Sequence, residues 1–299
     1  MGLFGVGLNI ATGKFARKTR LITATKESQS ALVVDVDLDV LIKQQSFEVH
    51  PVEKPKENYF PIGESGTIIE LSKRWPQGRT NHNFPQRLIQ NGPGRILYML
   101  GRRYATYLLS NSPLQFNLFV GNKKCKPFEH CVWDRHRSVA YGQSRRISAR
   151  EDFNHLVKSR MRCLKCRAPI ESENCIADKS HSGSEIGEER IRGWIGVQRY
   201  DDTSDFGIDI IRNGRAIRIL EKNAFFTFTD EEGKQITDYP IDGPHGRIVG
   251  EVHLDHVPVN FTKGDFDRST TEWEEAMAFL RGKVLCNQSN REHPKIKAH

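Results

Sequence analysis

The chain has 299 residues, of which 37% are hydrophobic and 27% charged, with 16 Phe and 4 Trp; this excludes a wholly disordered chain and predicts two packed units with an insertion. The longest apolar stretch, residues 31–42, is interrupted by Asp35, Asp37 and Asp39. It falls well short of the roughly 20 apolar residues a spanning helix needs, so no membrane segment is expected. A formal net charge of +8 and a pI near 9.2 favour an anionic partner, nucleotide phosphate or nucleic acid, although a basic solvated surface accounts for the same balance.

The first residues form a short apolar run followed by basic residues with no small-residue cleavage pattern, so they do not read as a secretory leader. Residues 19–25 and 31–36 read as two antiparallel strands around the polar turn 26–30, and residues 66–71 as a further strand. Residues 49–63, with Pro51, Pro55 and Pro61, read as an extended loop, and the breaker-dense 74–93 as the connection between domains. Apolar residues at helical spacing, Ile96, Leu100, Tyr104 and Leu108, predict a helix over 95–109. A strand over 114–120 follows, ending at the turn residues Gly121 and Asn122. Between 134 and 190 the apolar density falls, as in an insertion. Strand signals resume over 191–199, 206–212 and 216–220, the last two joined by Asn213-Gly214, residue types that tolerate the positive φ of a tight hairpin turn. A strand over 247–254 and a helix over 270–280, capped by Ser269 or Thr270, complete the pattern, and the tail 286–299 reads as disordered.

Three short motifs carry chemistry. Gly2, Gly5 and Gly7 open a short helix; close-spaced glycines let backbone N–H groups converge on phosphate, and a helix N-terminus adds positive charge. Gly66-Thr67 enters an apolar strand, where a threonine hydroxyl can bond a nucleobase edge or simply reflect β-propensity. Residues 260–266 form a polar loop that offers Lys263 between two aromatic residues, a compact charge suited to a terminal phosphate or to plain solvation.

Taken in order, these motifs resemble the GHKL ATPases, the group of gyrase-type topoisomerases, MutL proteins, ninety-kilodalton heat-shock chaperones and microrchidia ATPases, with the microrchidia and chaperone types nearest. The resemblance implies an α+β chain. Residues 1–78 would be the C-terminal part of the GHKL α/β sandwich, 79–94 a linker, and 95–285 a ribosomal-protein-like βαβ transducer domain with an insertion at about 135–190. It further implies that Gly2, Phe4, Gly5, Val6 and Gly7 close the ATP lid, that Thr67 approaches the adenine, and that Lys263 reaches the γ-phosphate as the catalytic residue. A homodimer on ATP binding, acting on a client protein or nucleic acid, would follow. The family's first two motifs, a helix bearing the general-base Glu and the Mg²⁺-binding Asn and then an Asp-x-Gly-x-Gly loop, belong ahead of residue 1. Hydrolysis is therefore an expectation about a complete protein holding ATP and Mg²⁺.

The predicted insertion carries a separate signal, Cys163 and Cys166 in a Cys-x-x-Cys knuckle, followed by Cys175 and His181. Two thiolates at that spacing reach one tetrahedral Zn²⁺, and the latter pair can complete a Cys₃His site. Cys125 and Cys131, flanking His130, are alternative partners, and unpaired thiols are the other reading. Six cysteines without an export signal fit a reducing compartment, the cytoplasm. Arginines in and near this segment, among them Arg135, Arg137, Arg145, Arg146, Arg150, Arg160, Arg162 and Arg167, either follow a nucleic-acid backbone or keep the insertion solvated. The alternative to an ATP switch is therefore a non-catalytic binding module built on a basic, zinc-bearing insertion.

Overall fold

The computed structural model describes residues 7–61, 63–109, 116–141, 143, 145–166, 168, 170–171, 174–229, 232–237 and 246–281. The chain is α+β and divides into two units, Met1–Ile96 and Leu97–His299. Among the described residues no helix is long and apolar enough to cross a membrane.

In the first unit α1 (Gly7–Phe15) leads into β1 (Lys18–Ala24), β2 (Ser30–Asp37), α2 (Leu38–Gln44), β3 (Val52–Pro55), β4 (Gly66–Ser72) and α3 (Phe84–Gln90). The strands form one antiparallel sheet in the order β3-β2-β1-β4. Period-two alternation places Ile22, Ala31 and Val33 on one face, where they bury against Phe60 with Ala24, Tyr59 and Ile68 beside them. Arg20 grips Asp35 across the strand pair with two hydrogen bonds of 2.8 and 2.9 Å. Residues 52–55, expected as loop, pair with β2; Pro55 is tolerated because β3 is an edge strand. In the expected connection 74–93, Pro85 lies in the first turn of α3, where its missing N–H would be unpaired in any case.

The division between the units falls inside α4 (Gly92–Arg103). A single helix over 95–109 is expected from the periodicity, yet the chain breaks at Tyr104 and restarts as α5 (Ala105–Leu108). Tertiary anchors override the pattern: Arg102 is buried against Asp209, Arg103 donates to the Ala216 carbonyl, and the Tyr107 hydroxyl donates to the Asn213 carbonyl.

Two short pairs follow, β5 (Phe119–Val120) with β6 (Lys123–Lys124) and β7 (Ser138–Tyr141) with β8 (Arg145–Ser148). Next come β9 (Arg150–Cys163), β10 (Ile170–Glu171), β11 (Asn174–Cys175) and β12 (Ser184–Asp202). Then β13 (Gly207–Arg212), β14 (Arg215–Glu221), α6 (Asn223–Phe226), β15 (Thr227–Thr229), β16 (Gln235–Thr237), β17 (Gly246–His253) and α7 (Thr271–Leu280) complete the unit. The main sheet runs β14-β13-β17-β12-β9, with β13 and β17 parallel and the remaining pairs antiparallel.

Ile208, Ile210, Val249, Val252 and Ile191 from this sheet bury against Trp273, Ala276 and Met277 of α7. The Thr270 side chain accepts a hydrogen bond from the Trp273 N–H and so caps α7, as its sequence position predicts. Asn213 (φ 47°) and Gly214 (φ 73°) close the β13–β14 hairpin with both central residues left-handed. The low-apolar segment 135–190 contributes most of a long ladder. Its alternation is hidden in the sequence because cross-strand Arg and Glu stand where apolar residues would mark a strand: Arg160 and Arg162 both pair with Glu189, at 2.8 and 3.0 Å.

Candidate functional site

The ends of β9 and β12 extend beyond the residues of β12 that pair with β17, and a compact knuckle closes their tip. Strand β9 ends at Cys163, whose N–H bonds to the Ala168 carbonyl, and the intervening turn returns Cys166. The β10–β11 pair places Cys175 opposite Ile170. A turn at Asp178, which accepts hydrogen bonds from the N–H and hydroxyl of Ser180, then brings in His181. The three sulfurs and one imidazole nitrogen all lie within 4.8 Å of one another. Cys166 and Cys175 are 3.3 Å apart at sulfur, and His181 Nδ1 lies 3.8 Å from Cys163 and 4.0 Å from Cys175. A disulfide would need about 2.05 Å, whereas tetrahedral ligands around Zn²⁺ at about 2.3 Å from each sulfur stand roughly 3.8 Å apart.

Two features suit the group to a cation. Asp178 Oδ2 stands 3.3 Å from His181 Nε2, so the carboxylate can hold the proton there and leave Nδ1 facing the sulfurs with its lone pair. The Cys163 thiol is lowered to about 6, first by the Cys166 backbone N–H and also by the Lys165 N–H and the neighbouring thiols, against the opposing effect of burial. A thiolate is the ligating form, so the loop favours it before a metal arrives. The set of four protein ligands is closed, as in structural zinc sites rather than catalytic ones.

The alternative ligands lie elsewhere. Cys125 is buried with its thiol 3.2 Å from the Leu97 carbonyl, and burial raises its pKa. Cys131 is exposed, and the buried ring of His130 stands 3.4 Å from Asp209. Among the described residues no other group of such side chains gathers to metal-binding distance.

The arginines of the segment are largely engaged within the fold. Arg137 stacks on Trp133, Arg146 bonds to Ser138, Arg150 pairs with Asp152 and stacks on Trp194, and Arg160 and Arg162 clasp Glu189. Arg167 lies outside the described residues.

Of the phosphate-binding residues expected from the sequence, Gly2, Phe4, Gly5 and Val6 lie outside the described residues, and Gly7 opens α1. Among the described residues no atom would meet a Cβ at Gly7, so their packing is not what requires glycine there. Thr67 is exposed on β4 with its hydroxyl 2.9 Å from that of Thr23. Lys263 belongs to the second unit, in a turn closed from both sides. Asn260 Oδ1 accepts from the Gly264 and Asp265 N–H groups, at 3.0 and 3.4 Å, and from the Thr262 hydroxyl at 3.1 Å. The Asn260 N–H donates to the Asp265 carbonyl and the Lys263 N–H to the Asn260 carbonyl, both at 2.9 Å.

Lys263 itself is left-handed at φ 54°, half-buried, and among the described residues meets no carboxylate within ion-pair distance. Behind the turn, Arg268 bridges Asp265 and the buried Glu221, which also takes Arg218. Burial acts to raise the Glu221 pKa, but the Ala224 N–H and the two guanidiniums outweigh it and hold the group below the usual carboxylate range.

No protein-family model and no curated protein matches the chain.

One polar centre has no local signature in the sequence. Arg102 of α4 is 3% exposed and donates to Asp209, Asp205 and Tyr98 while lying over the Phe128 ring. Burial lowers its pKa, but the Asp209 charge and these hydrogen bonds prevail and hold the guanidinium above the ordinary arginine value. Asp209 also accepts from the Leu220 N–H at 2.7 Å. A buried pair of this kind is costly to break, because the surviving charge is left without solvent or partner.

Proposed function

We propose that this chain is the nucleotide-responsive part of a GHKL-type ATPase, with the glycines that open α1 approaching the ATP phosphates and Lys263 contacting the γ-phosphate. The observation that carries this reading is the lysine turn. An ammonium that meets no carboxylate among the described residues stands on a turn held by five hydrogen bonds, so little order remains to be imposed when it meets an anion. The glycine at position 7 adds support, since a residue that packing does not require leaves its backbone open to a ligand. The part that the resemblance assigns to these residues is to bind and to sense phosphate. In the complete protein, Lys263→Ala is expected to abolish ATP turnover; unchanged turnover would remove the lysine from the mechanism.

A second reading is favoured by the Cys₃His geometry: the second unit is a binding module whose hairpin tip is fixed by zinc. Cys163, Cys166, Cys175 and His181 would hold the ion, which would cross-link a segment with few core residues. A gel shift of the full chain with nucleic acid, weakening as salt rises, would favour this reading over the ATP switch. The internal engagement of Arg137, Arg146, Arg150, Arg160 and Arg162 leaves that surface fewer free cations than the composition suggests.

A further inference from the structure

A cleft of about 640 Å³ opens in the first unit between the turn at residues 78–83 and α3. It is lined by Arg79, His82, Asn83, Gln86, Arg87 and Gln90, together with Gly78 and Thr80, and among the described residues no carboxylate lines it. Asn83, Gln86, Arg87 and Gln90 recur at helical spacing, so one face of α3 presents amide and guanidinium donors side by side. Neither Arg79 nor Arg87 meets a carboxylate within ion-pair distance among the described residues, and neither side chain donates a hydrogen bond there. The His82 Nδ1 bonds to the Arg79 carbonyl at 3.0 Å; a carbonyl only accepts, so that nitrogen carries the proton.

The wall is anchored from behind. Phe84 packs edge-on against Phe15 of α1 with ring centroids 4.9 Å apart, and the Trp75 indole donates to the Gly13 carbonyl at 2.7 Å. Two guanidiniums without partners, on an anchored wall free of acids, make a site for negative charge, because guanidinium forks match phosphate oxygens in pairs. The volume lies within the roughly 300–1,000 Å³ of small-molecule sites and exceeds what one phosphate fills.

We propose that this cleft binds the phosphate groups of a ligand of nucleotide size, with Arg79 and Arg87 as the anion-binding residues and the α3 amides completing the hydrogen bonds. The chemistry is that of a phosphate chain, whether of a free nucleotide or of a nucleic-acid strand. The cleft's residues all belong to the first unit and Lys263 to the second, and the proposal does not rest on the ATP contact.

The test is calorimetric titration of the full chain with tripolyphosphate. Arg79→Ala and Arg87→Ala are each expected to weaken binding about tenfold, the loss of one charge-assisted contact. Lys54→Ala, an exposed cation of β3 that does not line the cleft, should bind as the unsubstituted chain does. Both arginines are exposed, so the variants should keep the parent's thermal melting, and Arg87→Lys, which retains the charge, should bind between parent and Arg87→Ala. Titrations with ATP and with a single-stranded oligonucleotide then identify the source of the phosphate by which of the two loses affinity in the arginine variants. Absence of tripolyphosphate binding, binding indifferent to both arginine substitutions, or an equal loss in Lys54→Ala would overturn the proposal.

Discussion

Burial decides the charge of His253. Its imidazole is lowered to about 4, first by desolvation and further by the Arg192 charge, with Asp255 opposing. The unfolded chain, with histidine near 6.5, binds the proton more readily than the folded one throughout the interval between the two values. Stability that is fully present above about pH 6.5 is therefore lost as the pH falls towards 4, by about 3 kcal/mol for a shift of this size. Glu251 works in the opposite sense. Burial raises its pKa, so its contribution is present at low pH and lost on the alkaline side, and it does not feed the acid transition. Denaturant unfolding of the chain between pH 7 and 4.5 should show the loss, and His253→Phe should flatten it; an equally steep profile in the variant would assign the acid sensitivity to other groups.

Single residues show where sequence reading ends. The knuckle cysteines are legible because two thiolates at that spacing have one common use. Asp178 is not, since its value lies in orienting His181, which needs the turn geometry at Ser180. The Arg102–Asp209 pair is beyond reach for a simpler reason: the partners are 107 positions apart, and neither position differs locally from a surface charge.

At the level of elements, the hairpin tip and the β13–β14 turn give contrasting predictions. If the tip depends on zinc, the chain should purify with one zinc per molecule. Cys175→Ser should lose it, and hydrogen exchange should then accelerate across residues 163–184 while β13 and β17 stay protected. Zinc content unchanged in Cys175→Ser would exclude the four-ligand site. At the turn, Gly214 has φ 73° and a Cβ there would stand 2.6 Å from the Tyr107 ring. Gly214→Ala should therefore cost about 1–3 kcal/mol in unfolding free energy, while an exposed glycine without neighbours such as Gly78, also left-handed, should show only the backbone part.

Most strands of both units follow from alternation and turn residues, because one or both faces of each meet a core. The long β9–β12 ladder does not, since its cross-strand contacts are charged. The break at Tyr104 escapes a periodicity argument because buried side chains of α4 set it.

For the whole molecule, a net charge of +8 admits both a nucleotide and a polyanion, and the arginine contacts narrow that choice. Five of the arginines around the knuckle serve the fold itself. Among the described residues Lys263 on its turn and the arginine pair beside α3 meet no carboxylate, which suits each to the phosphate contact proposed for it. The contact proposed for Lys263 is with the terminal phosphate of ATP, which ADP lacks. Its most direct test is the difference in affinity of the complete protein for a non-hydrolysable ATP analogue and for ADP, measured by calorimetry with and without Lys263→Ala. The substitution is expected to weaken the triphosphate about tenfold or more, as loss of a charge-assisted contact should, and to leave ADP unchanged. Equal effects on both nucleotides, or no effect on either, would contradict it.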